Sequence, residues 1–315
     1  MNRVIITGPT GAIGMALTEY LSERNVQVIA VVRGDSARKS QMRESDNVAI
    51  VECALTEMAE LPQRVREAIR LKCWSENHPI EAFYHLAWDG TFGDSRNDMY
   101  LQNRNVKYAL NAVDAAAELG CEVFIGAGSQ AEYGRYEGKL NAEVPTFPEN
   151  GYGIAKLCAG QMTRIRCEQK GIRHIWTRIL SVYGPYDGSR TMVMSMIDKM
   201  LKGERASCTK GEQMWDYLYS KDAANMMYLL GCHGVHGKIY CLGSGMVKPL
   251  REYIEAIRDI INPDAEIGFG DIEYSPMQVM NLCADISELQ QDTGFEVRYS
   301  FQNGIMETIE WVRGK

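Results

Sequence analysis

The chain has 315 residues, enough for one large α/β domain or for a domain with a second lobe. Hydrophobic residues make up 45% of the sequence and charged residues 24%, which is typical of a globular protein and argues against a disordered one. The net charge of -7 argues against a nucleic-acid partner, because a phosphate backbone binds to basic surfaces.

The start of the sequence and its cysteines bear on where the protein works. MNRVIITGP passes directly into a strand pattern without the charged and apolar regions of a signal peptide, and no apolar run is long enough to span a membrane. The nine cysteines form no CxxC pair, which fits a reducing compartment. We therefore expect a cytoplasmic protein without a membrane partner. Cys232, His233 and His236 crowd together, but their glycine-rich context favours a plain loop, and we expect no metal site.

Three glycines near the N-terminus have the spacing of a phosphate-binding loop. Residues 3 to 7, RVIIT, have the pattern of a buried strand, and the helical run MALTEYLSERN follows. Gly8, Gly11 and Gly14 lie between the two. Glycine there permits a tight turn, lets the backbone approach a pyrophosphate, and lets the helix pack closely on the strand. The stretch predicts a dinucleotide-binding loop.

A second strand pattern, VQVIAVVR, ends at Arg33, where a site that prefers NAD has an Asp or Glu for the ribose 2′-hydroxyl. A cation there suits a 2′-phosphate, and Ser36, Arg38 and Lys39 could complete such a site. The residues favour NADP(H). Two alternatives stay open: Asp35 could face the ribose and select NAD, or the segment could be a solvated loop.

Strand and helix patterns alternate along the chain. Further strand patterns are VAIVE (48 to 52), AFYHLA (82 to 87), EVFIGAG (122 to 128) and HIWTRIL (174 to 180). Helical patterns such as MYLQNRNVKYALNAVDAAAELG separate them. This alternation predicts an α/β fold with a doubly wound parallel sheet. Ligands in such sheets bind beyond the carboxyl ends of the strands, so the residues after each strand are the candidates for a site.

Tyr152 and Lys156 are four residues apart in GYGIAK, so a helix would present both on one face. Such a pair alone is also common on ordinary helices. Other motifs accompany it, namely TGPTGAIG at the start, HLA at 85 to 87, Asn105 in NRNV, GSQAEYG at 128 to 134, SVYGP at 181 to 185 and SKDAA at 220 to 224. Together they resemble the extended short-chain dehydrogenase/reductase family, and within it the nucleotide-sugar epimerase, dehydratase and reductase group.

The resemblance implies two parts of the chain. Residues 1–181 would form a Rossmann-type domain that binds NADP(H), with residues 217–245 returning to it. Residues 182–315 would form mainly a smaller C-terminal lobe that binds the substrate. It also implies a homodimer that pairs through two helices, the one after Asn105 and the one that carries Tyr152.

The expected cofactor contacts come from the glycine loop, the segment at Arg33 and the resemblance. They are Gly8, Thr10, Gly11, Ala12, Ile13, Gly14, Arg33, Ser36, Leu86, Ala87, Asn105, Tyr152, Lys156 and Ile179.

The resemblance assigns catalytic roles to Ser129, Tyr152 and Lys156. Tyr152 would be the general acid and base, Lys156 would hold the nicotinamide ribose, and Ser129 would hydrogen-bond the reacting oxygen. A free phenol has a pKa of about 10, and we expect the Lys156 ammonium and a nicotinamide cation to lower it. Gly126 and Gly128 are expected to form the turn after the strand, which leaves Ser129 for catalysis.

The expected substrate contacts are Trp88, Ser129, Gln130, Ser181, Arg190 and Trp215. The family's diphosphate-binding arginines are absent, because their places hold Trp215 and Ser275. Charge could come instead from a nearby set of cations, or that set could be a wet helix face; its members are Arg190, Lys199, Lys202, Arg205 and Lys210.

Two departures from the family pattern narrow the reaction. Gln130 and Ala131 stand where related dehydratases have an Asp and a Glu, and neither does acid–base work. Epimerases that invert carbons next to a ketone need a Cys and a His, and here the matching places hold Ala131 and Tyr186.

Hydride transfer at one carbon remains, and we predict an NADP(H)-dependent reductase of a nucleotide-linked keto-sugar, of the 4-keto-6-deoxy class. The alternatives are a nucleotide-sugar 4-epimerase with tightly bound NAD and, in another class, a non-catalytic NADP(H)-sensing regulator.

Overall fold

The centre of the molecule is a parallel sheet of seven strands in the computed structural model, which describes residues 1–314. The strands in chain order are β1 (Arg3–Thr7), β2 (Gln27–Val32), β3 (Val48–Glu52), β4 (Ala82–His85), β5 (Val123–Ser129), β6 (Lys139–Leu140), β7 (Arg173–Ile179), β8 (Ser181–Tyr183), β9 (Ala206–Cys208), β10 (Met214–Trp215), β11 (Tyr217–Tyr219), β12 (Ile239–Leu242), β13 (Lys248–Pro249), β14 (Ile267–Phe269) and β15 (Asn281–Ala284). The α-helices are α1 (Ala12–Ser22), α2 (Leu61–Leu71), α3 (Met99–Glu118), α4 (Gly151–Lys170), α5 (Met192–Leu201), α6 (Ser220–His233), α7 (Leu250–Ile261), α8 (Ser287–Thr293) and α9 (Phe301–Arg313).

The large sheet has the strand order β12-β7-β5-β4-β1-β2-β3, and every neighbouring pair is parallel. The chain builds outward from β1 in one direction through β2 and β3 and then in the other from β4 onward. The reversal lies between β1 and β4, and in such sheets it opens a crevice at the carboxyl ends of the two strands.

Both faces of this sheet are covered, which explains why its strands read as nearly continuous apolar runs. Val4 and Ile6 of β1 belong to the core that contains residues of α1 and α6, whereas Ile5 belongs to the core that contains residues of α2 and α3. Successive side chains of one strand thus point into two different cores. The prediction of an α/β fold with a doubly wound parallel sheet is confirmed.

The strand bounds correct one expectation. Gly126 and Gly128 do not form the turn before Ser129, because both lie within β5. A Cβ atom on Gly126 would be 2.2 Å from the Trp176 ring, and one on Gly128 would be 2.3 Å from its Nε1. These glycines make room for a tryptophan on the neighbouring strand β7.

A second core lies in the C-terminal part of the chain, where α5, α7 and α9 pack together around Ile197, Ile254 and Ile305. Met194 and Met196 are buried there as core residues. In contrast, α6 packs against α1, and β12 is an edge strand of the large sheet. The division of the chain into cofactor and substrate parts at residue 181 stays a prediction. No helix within residues 1–314 has the length and apolar character needed to cross a membrane.

Candidate active site

The turn between β1 and α1 brings main chain to the carboxyl end of the sheet. Gly8 has a φ of 71°, and a Cβ atom on it would lie 2.7 Å from the Ala87 nitrogen. A Cβ atom on Gly14 would lie 2.3 Å from the Gly8 oxygen. The helix α1 begins after Gly11 with no side-chain cap and no acidic residue in its first turn. The N–H groups at this helix start therefore fit the pyrophosphate of a dinucleotide.

A cleft with two adjoining parts lies at the carboxyl ends of the central strands. The first part, of about 490 Å³, is lined by the predicted cofactor residues Gly8, Thr10, Gly11, Ala12, Arg33, Ser36, Leu86 and Ala87. The second part, of about 290 Å³, shares several of these and adds Ile13, Gly14, Ser129, Tyr152, Lys156 and Ile179. Trp88 lines both parts. One cleft thus brings together the predicted catalytic residues and all of the predicted cofactor residues except Asn105.

The end of the cleft at β2, called the ribose end below, contains Arg33 and Asp35 beside Ser36. The Arg33 side chain is 54% exposed, with Nε 3.8 Å from Asp35 Oδ1 and Nη1 3.5 Å from Asp89 Oδ1. Arg38 Nη1 donates to the Tyr186 carbonyl at 3.2 Å. The cation that suits a 2′-phosphate and the carboxylate that suits a 2′-hydroxyl therefore stand side by side.

The opposite end, called the catalytic end, is formed by Ser129, Tyr152 and Lys156. Ser129 is the last residue of β5, and the other two lie in the first turns of α4. The helix start is fixed by Asn150, whose Oδ1 accepts from the Gly153 nitrogen at 2.9 Å. All three side chains are buried, and the Ser129 hydroxyl lies close enough to the Tyr152 phenol to affect its pKa.

The protonation of Tyr152 differs from the expectation. Burial raises the pKa of the phenol above its ordinary value, while the Ser129 hydroxyl and the Arg96 guanidinium oppose this rise only in part. The Arg96 guanidinium carbon lies 4.4 Å from the Tyr152 ring centroid. The expected lowering of the Tyr152 pKa by Lys156 is therefore wrong for the protein without cofactor. The phenol keeps its proton at neutral pH.

Lys156 contacts main chain and two aromatic rings. Its Nζ donates to the Ala127 carbonyl, lies 3.8 Å from the Trp88 ring centroid, and is 5.7 Å from the Tyr152 ring centroid. Burial lowers the pKa of Lys156 to about 7, and the Glu132 carboxylate opposes this shift. The ammonium is thus held by fixed protein groups near neutral pH.

Asn105 lies under the loop that follows β4. Its side chain donates to the Asp89 carbonyl at 2.8 Å and accepts from the Asp89 nitrogen at 3.1 Å. Gln102 accepts from Trp88 Nε1 at 2.9 Å and donates to the carbonyls of Gly90 and Ser95. These two amides fix the loop that carries Trp88, and the predicted contact of Asn105 with the cofactor stays a prediction.

The remaining predicted substrate residues do not line the two parts of the cleft. Ser181 and Trp215 are joined by a hydrogen bond of 2.8 Å from Nε1 to Oγ. Gln130 is half-buried in the turn after Ser129. Arg190 is exposed, and its guanidinium carbon lies 5.8 Å from the Phe92 ring centroid.

Two of the alternative cations are engaged by carboxylates at the surface. Lys202 donates to Asp198 at 2.8 Å, and Arg205 pairs with Asp271. These contacts fit the wet-surface interpretation of that set of cations.

Four polar groups near the catalytic end were not predicted from the sequence, namely the buried Gln102, Glu132 and Arg178 and the half-buried Arg96. One signal could have found Glu132. The stretch SQAE has the Ser-x-x-Glu spacing of a capping box, and here Glu132 Oε1 does accept from the Ser129 nitrogen at 2.8 Å. No comparable pattern marks the other three.

Comparison with known proteins identifies the family of the chain. The sequence model of the NAD dependent epimerase/dehydratase family matches residues 4–243. The dTDP-4-dehydro-6-deoxyglucose reductase of Escherichia coli is 25% identical over 325 residues, covering 100% of this chain and 98% of that protein.

Two solved structures share the fold over nearly the whole chain. The UDP-glucose 4-epimerase of Thermotoga maritima, solved with UDP-glucose, has a TM-score of 0.84 at 21% identity and 99% coverage of both chains. The UDP-glucuronic acid 4-epimerase of Bacillus cereus, solved with NAD, has a TM-score of 0.82 at 17% identity and 99% coverage of both. With the family match over residues 4–243, the chain belongs to the NAD dependent epimerase/dehydratase family, which confirms the resemblance to extended short-chain dehydrogenases/reductases and the prediction of an NAD(P)-dependent enzyme.

Proposed function

We propose that the protein is an NADP(H)-dependent reductase of a nucleotide-linked keto-sugar, of the 4-keto-6-deoxy class. The observation that carries this proposal is Arg33, a half-exposed guanidinium at the ribose end whose contacts with Asp35 and Asp89 are long, at 3.8 and 3.5 Å. A guanidinium held this loosely is available to bind a 2′-phosphate through two oxygens. Reductases consume NADPH, whereas an epimerase retains NAD through repeated turnovers.

The catalytic end suits reduction because reducing a ketone requires a protonated group that can donate to the carbonyl oxygen. Burial raises the pKa of Tyr152, so the phenol is protonated at neutral pH. Ser129 would hydrogen-bond the substrate carbonyl oxygen, and Tyr152 would donate its proton to that oxygen. Bound NADPH supplies the hydride for the carbonyl carbon. Lys156, fixed at the Ala127 carbonyl, would hydrogen-bond the nicotinamide ribose.

The substrate class rests on the relatives together with the second lobe. The Escherichia coli relative is a reductase of a dTDP-linked keto-sugar, and the Thermotoga maritima structure holds UDP-glucose. In this chain Trp88 would pack on the sugar, and Ser181 and Trp215 would form a wall of the substrate part, residues 182–315. Arg190 would supply positive charge for the diphosphate.

A homodimer through α3 and α4 belongs to this proposal. Ile154, Cys158, Met162 and Ile165 are exposed on α4 at a spacing that puts them on one side of the helix. Light scattering of the purified protein would give the mass of a dimer, and Met162→Glu would give a monomer. Leu71→Glu on the distant α2, where Leu71 is also exposed, is the matched control and would leave the dimer intact.

A nucleotide-sugar 4-epimerase is the second candidate, and Asp35 favours it. Its carboxylate stands beside Arg33 and could accept from the 2′-hydroxyl of NAD. The same Ser129, Tyr152 and Lys156 would serve an epimerase that returns the hydride to the sugar.

The released nucleotide distinguishes the two candidates. Freshly purified protein is denatured, and any nucleotide in the supernatant is identified by chromatography and absorbance. A reductase gives no nucleotide, or NADP(H) that exchanges freely with added NADPH. Tightly held NAD at one equivalent per chain would overturn the reductase in favour of the epimerase.

A further inference from the structure

Glu132 is a fully buried carboxylate behind the catalytic end, and both of its oxygens accept hydrogen bonds from buried donors. Oε1 accepts from the Ser129 nitrogen at 2.8 Å and from Trp176 Nε1 at 3.0 Å. Oε2 accepts from Arg178 Nε at 2.8 Å. Both members of the Glu132–Arg178 ion pair are buried, with 0% and 3% of their side chains exposed.

Two glycines leave space for the Glu132 carboxylate and its partner Trp176. A Cβ atom on Gly128 would lie 2.4 Å from Glu132 Oε1, and one on Gly160 of α4 would lie 2.8 Å from the Trp176 ring. Trp176 therefore fills a slot between β5 and α4, and its indole N–H reaches the carboxylate. Any shift of Glu132 would move the end of β5, where Ser129 lies.

A capping box is the simplest interpretation of Glu132, since Ser129 and Glu132 have the spacing and the bond of one. A capping glutamate on a short turn is ordinarily solvated, and burial of a carboxylate is costly without a partner. Here the carboxylate is paired with the buried Arg178, whose Nη1 has no hydrogen-bond partner among residues 1–314. The cap alone does not require this pair.

The charge of Glu132 also reaches the catalytic lysine. It is the charged group that acts on Lys156: its carboxylate opposes the effect of burial, and the pKa of Lys156 is lowered to about 7 with both effects present. The other titratable and charged groups packed around the pair are His85, Arg96, Tyr133, Tyr152, Arg178 and Cys241.

The histidine, cysteine and tyrosines among these neighbours do not change their charge near neutral pH. Burial lowers the pKa of His85 to about 3 and raises the pKa of Cys241 to about 11. Burial also raises the pKa of both Tyr133 and Tyr152, and the pKa of Arg178 stays above its ordinary value. Lys156 is therefore the group beside Glu132 whose protonation changes near neutral pH.

We propose that Glu132 is a positioning residue of the active site, whose carboxylate fixes the Ser129 main chain and whose negative charge keeps the Lys156 ammonium in its buried position. This inference rests on the proposed roles of Ser129, Tyr152 and Lys156. Under this proposal, the Glu132–Arg178 ion pair contributes to the reaction as well as to folding.

The first test compares the pH dependence of kcat/KM for NADPH-dependent reduction in matched variants. Glu132→Gln removes the charge, so the Lys156 ammonium should lose its proton at lower pH and the alkaline limb of the profile should move down by about one pH unit. At neutral pH kcat should fall by about tenfold, and the KM for NADPH should rise as well, because less of the Lys156 ammonium that would hold the nicotinamide ribose is present. Glu132→Asp, which keeps the charge, should return the limb to its original position.

Two further variants separate this role from folding. Glu149→Gln removes an exposed ion pair with Arg135 and should leave the profile in place. Glu132→Gln alone leaves Arg178 unpaired and could unfold the protein, so Glu132→Gln/Arg178→Met removes both charges and should also shift the limb. A loss of activity without a shift of the limb in the folded variants would reduce Glu132 to a structural residue and overturn the proposal.

A second readout needs no substrate. Lys156→Met is introduced into the wild type and into Glu132→Gln/Arg178→Met, and the free energy of unfolding is measured across pH. The pH at which Lys156 begins to affect stability should be lower without Glu132, and an equal pH in both backgrounds would refute the inference. If the wild type reduces no keto-sugar, the proposed function fails and this measurement alone decides the role of Glu132.

Discussion

The catalytic end and the ribose end of the cleft carry cations in opposite surroundings. Lys156 is 3% exposed and is held by the Ala127 carbonyl and the Trp88 ring, whereas the Arg33 side chain is 54% exposed with contacts of 3.5 and 3.8 Å. A buried side chain has its geometry fixed before any ligand binds, whereas an exposed side chain loses conformational entropy when the ligand binds. Under the proposed function, the groups of the catalytic end are therefore preorganised, while the choice of cofactor would depend on exposed side chains at the ribose end.

Tyr152→Phe gives the largest expected effect, because it removes the proton donor from the preorganised end. We expect kcat to fall by about a thousandfold, since a positioned general acid contributes on that order. NADPH binding and stability should change little, because the ring still packs on Trp88 at 6.2 Å. Steady-state kinetics and NADPH titration measure both quantities. Tyr228→Phe on α6 is the control, and equal kcat values for the two variants would rule Tyr152 out as the donor.

Lys156→Met tests burial at the same end through the pH dependence of stability. In the folded protein Lys156 loses its proton above about pH 7, whereas the unfolded chain keeps it until about pH 10.5, so unfolding takes up a proton in this window. Proton uptake becomes harder as pH rises. The stability of the wild type relative to Lys156→Met should therefore increase by up to about 1.4 kcal/mol per pH unit from about pH 7 to about pH 10.

Urea unfolding of the cofactor-free proteins measures this difference. Lys202→Met, which removes an exposed lysine, should show no such increase. A difference that stays flat across the window would mean that Lys156 keeps its proton in the folded protein.

Arg33→Ser tests the exposed end. The KM for NADPH should rise by about tenfold, because one charge-assisted contact with the 2′-phosphate is lost, and the KM for NADH should not change. Arg24→Ser removes an exposed arginine outside the cleft and should affect neither cofactor. An equal rise for both cofactors would show that Arg33 does not read the 2′ position.

Trp215→Phe gives the smallest expected effect. It removes the hydrogen bond to Ser181, which is worth about 1 kcal/mol, so the KM for the keto-sugar should rise about fivefold with kcat unchanged. Trp74→Phe removes a comparable bond to the Asp46 carbonyl far from the cleft and should leave the KM unchanged. The same KM in both variants would exclude Trp215 from the substrate wall.

The features that sequence predicts well are local. The pattern VAIVE predicts β3 with its observed bounds, and FQNGIMETIEWVR does the same for α9, because each depends on the period of its own side chains. The glycines of the first loop were likewise interpretable, since their spacing reflects one turn between a strand and a helix.

The features that sequence predicts poorly depend on distant packing. Gly126 and Gly128 looked like turn residues because the ring that needs their space, Trp176, comes from another strand. The direction of the Tyr152 pKa was wrong because burial outweighs the nearby cations, and burial is a property of the whole fold. Glu132 was overlooked for the same reason, since its partner Arg178 is far along the chain.

The most direct measurement follows deuterium from NADPH labelled at the transferable position of the nicotinamide into a panel of nucleotide-linked 4-keto-6-deoxy sugars. Reduction by this protein predicts one deuterium on the new carbinol carbon and one NADP released for each molecule of product, seen by NMR and by the loss of reduced-nicotinamide absorbance. A product without deuterium, formed with no net consumption of NADPH while the protein retains NAD, would contradict the reductase.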